Sequence, residues 1–110
     1  MVDPEIMCRK HLLGEHVELH MFVGSINKGK NIRTFIETNL CEPGSINSRH
    51  EELVAEMLSR GYNHKSELPD FEYEDSTLID KKSALLDLIS RCKICNYKYT
   101  SKLRKEEKRI

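Results

Sequence analysis

The segment SRHEELVAEMLSRG, residues 48–61, is the clearest secondary-structure element in the sequence. Ser48 followed by Glu51 fits a capping box, which marks the start of a helix, and Gly61 supplies a residue that commonly ends one. The apolar residues between them recur at helical spacing and are predicted to form one buried stripe: Leu53, Val54, Met57 and Leu58. The segment therefore predicts an amphipathic helix that ends before Gly61.

A second helix is predicted on the N-terminal side of this segment. Asp3 can cap a helix whose first position is Pro4, where the missing proline N–H costs nothing. Helical character can run from there to about Ile26, with a break or kink near Gly14 and an end in the turn at 27–30. This helix would carry most of the titratable side chains of the N-terminal half.

A third helix is predicted from about Thr77 to Arg91, after an acidic loop at 67–75 that is most simply a solvated face. The sequence shows no alternation typical of a sheet, no internal repeat and no linker long enough to separate domains. The prediction is a compact, single, all-α domain over residues 1–110, with three main helices, irregular connections and a basic C-terminal tail from about residue 93.

The charge of the chain is zero overall but is unevenly distributed. Residues 1–50 carry six basic and six acidic side chains, residues 51–92 carry five and ten, and residues 93–110 carry seven and two. A basic segment that contains Tyr97 and Tyr99 is of the kind that a phosphate backbone attracts. A frayed and solvated C-terminal helix explains the same composition equally well.

The sequence favours a soluble, cytoplasmic protein. No apolar run approaches the roughly 18 residues that a membrane span needs. The N-terminus MVDPEIMCRK places an acid and a proline where a signal peptide has a basic start and an apolar run. No membrane partner is expected, and the chain is predicted to be a monomer.

The cysteines and histidines are weak predictors of a metal site. Cys92 and Cys95 form one C-x-x-C pair, whereas a four-cysteine zinc site usually has two closely spaced pairs. The segment HVELH, residues 16–20, has two histidines one turn apart, but its glutamate is not at the position of the H-E-x-x-H motif. We therefore expect reduced thiols, no metal and no cofactor, with His50 and His64 structural or solvated. A small zinc-binding interaction module that uses the C-x-x-C pair is the alternative.

The segment CRKHLLGEHVELH, residues 8–20, has three histidines and two glutamates on one predicted helix. Such a helix is either a solvated surface or a working site. A glutamate that faces a concave, partly dry surface can act as a general acid or base, because burial raises its pKa toward working pH. Composition alone leaves both interpretations open.

HLLGEHVEL, residues 11–19, resembles the first-helix motif of the pyrimidine-dimer DNA glycosylases of the phage endonuclease V family, and His11, Glu15, Glu18 and Leu19 match it in register. Three further segments are similar to family segments in the same order: GKNIRTF at 29–35, RHEELVAEMLSRGYNHK at 49–65 and YKYTSK at 97–102. The resemblance spans most of the chain. It implies an all-α fold, in agreement with the independent prediction from the helical patterns.

The resemblance implies a DNA glycosylase with abasic-site lyase activity on UV-damaged DNA. In that family the nucleophile is the N-terminal α-amine, which here is that of Val2. An α-amine has a pKa of about 8, against about 10.4 for a lysine side chain. A larger fraction of the α-amine is therefore neutral and nucleophilic at pH 7. The resemblance implies that Glu18 is the catalytic carboxylate and that His11, in the same motif, is also catalytic.

The expected partner is double-stranded damaged DNA. Residues expected at the DNA are Arg9, Lys10, Glu15, His20, Arg33, Tyr97, Lys98 and Lys102. The chain departs from the family at Val17 and Met21, where the family has arginines, and fewer residues separate Val2 from the motif histidine. This short start predicts a true start upstream of Met1. The alternative is a non-catalytic DNA-binding domain on the same fold that has lost the amine.

Overall fold

The computed structural model of the protein describes residues 2–64 and 67–107, and the part of the chain that it describes is helical, without β-strands. The all-α prediction is confirmed. The α-helices are α1 (Arg9–Asn27), α2 (Arg33–Glu37), α3 (Ile46–Ser59), α4 (Lys81–Arg91) and α5 (Lys93–Glu107), with 3-10 turns at Pro4–Ile6 and Pro43–Ser45. Two stretches lie outside the described residues: the end of the predicted basic tail, and residue 65, the last of the segment RHEELVAEMLSRGYNHK, with residue 66. No described helix is long and apolar enough to cross a membrane.

Helix α1 differs from its prediction at both the start and the middle. The Asp3 side chain accepts a hydrogen bond from the Glu5 N–H, but this cap starts only the 3-10 turn, and the continuous helix begins at Arg9. Gly14 lies inside the helix without a break. A glycine there costs about 1 kcal/mol of helix stability, which burial of apolar side chains on the same helix offsets. The end in the turn at 27–30 is confirmed, with Gly29 at a φ of 73°.

Helix α3 begins earlier than the capping-box pattern predicts. The 3-10 turn at Pro43–Ser45 leads directly into the helix at Ile46, so Ser48 lies inside it and donates its hydroxyl to the Ser45 carbonyl at 3.1 Å. The predicted capping box is therefore wrong. The predicted end at Gly61 is confirmed: its φ is 81°, and the N–H groups of Gly61 and Tyr62 reach back to the carbonyls of the last turn.

The apolar stripe of α3 is confirmed at its centre and wrong at one edge. Leu53 and Met57 are buried, Val54 is half-buried, and the Leu58 side chain is 58% exposed. Helix α1 packs on one face of α3, and Leu58 lies outside that face. Helical spacing identified the apolar positions, but only the packing direction selects which of them are buried.

Truncating the two leucines separates these environments. We expect Leu53→Ala to lower the free energy of unfolding by about 3 kcal/mol, because it leaves a cavity in the core. Leu58→Ala is the control and should change it by less than about 0.5 kcal/mol. Urea denaturation measures both, and equal losses would contradict the packing described here.

Helices α4 and α5 return the chain to its N-terminus. Helix α4 starts at Lys81, later than predicted, because Asp80 caps it by accepting the Ser83 N–H at 3.1 Å. Helix α5 forms most of the predicted basic tail, and it packs against the 3-10 turn at Pro4–Ile6. Lys102 of α5 forms ion pairs with Asp3 and with Glu5. This contact holds the residues that follow Val2 against the body of the protein.

Candidate active site

A cleft of about 610 Å³ lies between α1, the segment 38–46 and α4. One face of α1 forms its floor with Lys10, His11, Gly14, Glu15 and Glu18. Positions 11, 14, 15 and 18 recur at three- and four-residue spacing, so they lie on one side of the helix. The motif residues that carry the family resemblance therefore face a common concave surface.

The Glu15 carboxylate is held by a buried arginine. Arg49 is 1% exposed and donates to both Glu15 oxygens, at 2.5 Å from Nε and 2.9 Å from Nη2. A third donor of the guanidinium reaches Glu52 at 3.1 Å. Two parallel charge-assisted hydrogen bonds fix the orientation of Glu15 and join its side chain to α3. Glu15 is therefore a fixed negative charge in the floor of the cleft.

Glu18 lies in the floor of the cleft and has no ion-pair partner among the described residues. Partial burial against the cleft raises its pKa above the ordinary value of 4.5, and the negative charge of Glu15 raises it further. Its side chain remains accessible from solvent. A carboxyl group with a raised pKa beside a fixed carboxylate is suited to exchange a proton with a bound molecule.

Val2 lines the same cleft as Glu18, although the residues between them form a turn and half of α1. Arg60 supports this arrangement, because its Nη2 donates to the carbonyls of Pro4 at 3.0 Å and Met7 at 2.7 Å. The structure thus brings together five of the residues singled out from the sequence: Val2, Lys10, His11, Glu15 and Glu18.

The remaining residues expected at DNA do not line the cleft. The guanidinium of Arg9 lies 5.1 Å above the ring of Tyr62, and Arg33 is exposed at the start of α2. Tyr97 and Lys98 lie on α5, where the Tyr97 side chain is 71% exposed. Lys102 is engaged with two carboxylates, and His20 lies in a group of histidines described below.

A comparison with protein-family models matches residues 1–70 to the family described as pyrimidine dimer DNA glycosylase. The chain belongs to this family. The resemblance noted from the sequence motifs is thereby confirmed. Searches of curated proteins and of solved structures gave no significant match.

The part of the chain that matches the pyrimidine dimer DNA glycosylase family contains α1, α2 and α3, and with them Glu15 and Glu18 of the cleft. Helices α4 and α5 follow the matched region, yet Ser83, Asp87 and Arg91 of α4 complete the cleft. Helix α5 holds the segment beside Val2. The C-terminal helices therefore contribute to the geometry of the candidate site, whereas Glu15 and Glu18 lie in the matched part.

Two groups of side chains have donor atoms close enough together to hold a metal ion. The sequence did not predict the first, and it offered only Cys92 and Cys95 of the second as an alternative. In the first, His16, His20, His50 and His64 direct four ring nitrogens to within 4.8 Å of one another. Burial, followed by the three neighbouring imidazoles, lowers the pKa of His16 to about 4. Burial also lowers the pKa of His50. Buried neutral imidazoles carry the lone pairs that metal ions bind.

The first group had a signal in the sequence. Leu12, His16 and Leu19 follow one another at core spacing on α1, and Ile46, His50 and Leu53 do so on α3. A histidine thus occupies the buried stripe of each of two packed helices. The sequence analysis treated His50 as structural or solvated and did not relate it to His16, which it meets between α1 and α3.

The second group joins the C-x-x-C pair to the start of α1. Cys8, His11, Cys92 and Cys95 place three sulfurs and one ring nitrogen within 4.8 Å of one another. The signal in the sequence is Cys8-x-x-His11, which supplies the second closely spaced pair that the cysteines alone lacked. His11 therefore belongs both to the cleft and to this group.

Proposed function

We propose that the protein is a pyrimidine-dimer DNA glycosylase that also cleaves the strand at the resulting abasic site. The observation that carries the proposal is that Val2 and Glu18 line one cleft in a member of this family. The proposed nucleophile is the Val2 nitrogen, which is an α-amine once Met1 is removed. Support for this role comes from the position of Val2, which borders the cleft.

The proposed chemistry needs a neutral amine and a nearby carboxyl group. The amine forms a bond to C1′ of the damaged nucleotide as the bond from C1′ to the base breaks, and the base leaves with the electron pair. The sugar ring then opens at O4′, which takes up a proton, and a Schiff base remains. Loss of a proton from C2′ expels the 3′-phosphate, and water releases the amine from the product.

Glu18 is proposed to stabilise the cationic sugar and to transfer the protons of these steps. Glu15 and Arg49 hold the helix face that presents Glu18. We propose that His11 positions this helix face and does not react itself, in contrast to the role that the resemblance implies. Its Nδ1 points to the sulfurs of Cys8 and Cys95, at 3.0 Å and 3.7 Å.

The proposed substrate is double-stranded DNA that contains the lesion, bound by a monomer. Moving a base out of the stack costs a few kcal/mol, and phosphate contacts must offset that cost. Lys10 borders the cleft and is exposed, so it is the best placed of the expected contacts. Arg9, Arg33, Tyr97 and Lys98 are accessible for contacts farther along the duplex, whereas Lys102 already pairs with Asp3 and Glu5.

Lys10→Ala tests this placement. We expect it to weaken DNA binding and to reduce the slope of log K against log salt concentration by about 1, because one phosphate contact is lost. Fluorescence anisotropy on a duplex with one abasic-site analogue, at a series of salt concentrations, measures the slope. Lys28→Ala, an exposed lysine at the end of α1 and outside the cleft, is the control. Equal slopes for both variants would argue against DNA at the cleft.

Borohydride trapping on a duplex with one abasic site tests the lyase chemistry. We expect a covalent protein–DNA adduct that disappears when the α-amine is acetylated. Trapping only by a chain extended upstream of Met1 would place the amine elsewhere and overturn the role of Val2. Binding without an adduct from either chain would favour the alternative, a DNA-binding domain without the enzyme activity.

A further inference from the structure

We propose that Cys8, His11, Cys92 and Cys95 bind one zinc ion. The four residues come in two pairs with the same short spacing, C-x-x-H at the start of α1 and C-x-x-C where α4 meets α5. Paired ligands with two intervening residues are typical of structural zinc sites, because one turn or helix end then presents two donors to the same ion. The pairs are distant in sequence and meet only through the fold.

Two of the distances among these donors are close to those of a four-coordinate zinc site, and all four donor atoms lie within 4.8 Å of one another. Ligand atoms of a tetrahedral zinc ion lie about 3.5–3.8 Å apart when zinc–sulfur bonds are about 2.3 Å and zinc–nitrogen bonds about 2.0 Å. The Cys8 and Cys92 sulfurs are 3.9 Å apart, and the Cys95 sulfur lies 3.7 Å from His11 Nδ1. Cys8 Sγ lies closer to that nitrogen, at 3.0 Å. All four cysteines of the chain are free, so no disulfide competes for these sulfurs.

Backbone N–H groups donate to two of the three sulfurs. The Cys8 N–H donates to Cys95 Sγ at 3.2 Å, and the Cys95 N–H donates to Cys92 Sγ at 3.5 Å. N–H donors beside a sulfur favour its negatively charged form, which is the form that binds zinc. Cys95 is fully buried, where an uncompensated thiolate would be unfavourable and a bound cation would stabilise it.

The ion would join the part of the chain that matches the family to the part that follows it. Cys8 and His11 lie just before the carboxylates of the cleft, whereas Cys92 and Cys95 lie beyond residue 70. The hydrogen bond from the Cys8 N–H to Cys95 Sγ shows that this cluster already joins the residue before α1 to α5. The ion would therefore hold α1 in register beside Val2 while remaining outside the chemistry itself.

Cobalt(II) is the probe for this site, because cobalt bound to thiolates has an intense charge-transfer absorption that cobalt bound only to imidazole lacks. The full chain, purified without a metal-binding tag and kept reduced, is stripped with a chelator and titrated with cobalt. We expect the thiolate band in the native chain and in Cys41→Ser, whose cysteine lies in neither group, and its loss in Cys92→Ser.

His11→Gln is the second variant and does not remove a thiol. It should weaken cobalt binding by at least about tenfold, since a ligand is lost. A chelator should also lower the Tm of the zinc-loaded native chain, because zinc binds the folded state in preference to the unfolded one. Absence of the thiolate band in the folded native chain, or a band unchanged in both Cys92→Ser and His11→Gln, would overturn the proposal.

The histidine group independently carries a second site. We infer that His16, His20, His50 and His64 bind one divalent transition-metal ion, with zinc as the probe. His16 Nε2 lies 3.1 Å from His50 Nε2 and 3.0 Å from His64 Nε2. In the plane of the ring, Nε2 of His16 carries either one proton or one lone pair. It can therefore make a good hydrogen bond with His50 or with His64, but not with both.

A shared metal ion resolves this conflict. Imidazole nitrogens around a tetrahedral zinc ion lie about 3.3 Å apart, close to the two distances observed. The Nε2 atom of His20 is buried and has no hydrogen-bond partner among the described residues, which a buried polar atom rarely tolerates. All four positions of the ion would be taken by the protein, so the site would join α1, α3 and the segment after Gly61 without an open position for substrate.

Counting metal ions separates the two sites. The native chain should hold two zinc ions by mass spectrometry with inductively coupled plasma. His64→Gln should hold one and keep the cobalt–thiolate band, whereas Cys92→Ser should hold one and lose it. Asn63→Ala, an exposed neighbour of His64, is the control and should hold two. A single zinc ion in the native chain, accompanied by the thiolate band, would overturn the histidine site. So would two ions in a folded His64→Gln chain.

Discussion

Replacing Glu18 by glutamine is expected to lower the rate of base release and strand cleavage by about 10²- to 10⁴-fold, the range usual for loss of a general acid or base. Glutamine keeps the size of the side chain but carries no negative charge and transfers no proton. Glu18 has no ion-pair partner among the described residues, so its neutralisation should leave the fold intact. Binding to a duplex with an abasic-site analogue should be retained.

The matched control is Glu37→Gln, because Glu37 is an exposed carboxylate on α2 outside the cleft. Single-turnover cleavage of a duplex with one cyclobutane dimer measures both variants, and anisotropy measures their binding. A Glu18→Gln protein with the native rate would remove Glu18 from the chemistry. Loss of rate in both variants would point to a general charge effect of the surface instead.

Replacing Arg49 by methionine is expected to lower the free energy of unfolding by about 3–5 kcal/mol, the cost of breaking a buried ion pair from one side. The guanidinium is fully buried, and it donates to both oxygens of Glu15 and to Glu52. Methionine fills similar space but leaves the Glu15 carboxylate without its partner in a half-buried position. Urea denaturation measures the change.

Two further variants show whether the loss comes from the ion pair. Arg91→Gln removes an arginine whose pair with Asp87 is exposed on α4, and such pairs contribute at most about 1 kcal/mol. Glu15→Gln combined with Arg49→Met should recover part of the stability, because no carboxylate is then left unpaired. A double variant no more stable than Arg49→Met would assign the loss to packing of the arginine stem.

Local patterns accounted for α1, α3 and α4 and for the cleft residues on α1, but not for α2. The spacing of Leu53 and Met57 with Gly61 predicted α3, and the resemblance over residues 11–19 singled out His11, Glu15 and Glu18, which share one face of α1 in the structure. Such patterns work because side chains three and four residues apart lie together on any helix. The exact starts of α1, α3 and α4 were missed, since turns and caps with competing donors decide them.

The sequence by itself determined the all-α class, the family and the helix face that carries Glu15 and Glu18, because each depends on residues close together in the chain. Only the tertiary structure decided that Arg49 pairs with Glu15, that Val2 reaches the cleft, and that two groups of metal donors form. Cys8 lies 84 residues from Cys92, and His16 lies 34 residues from His50. The packing of α1 against α3, and of α5 against the N-terminal turn, sets those distances, and no local spacing records it.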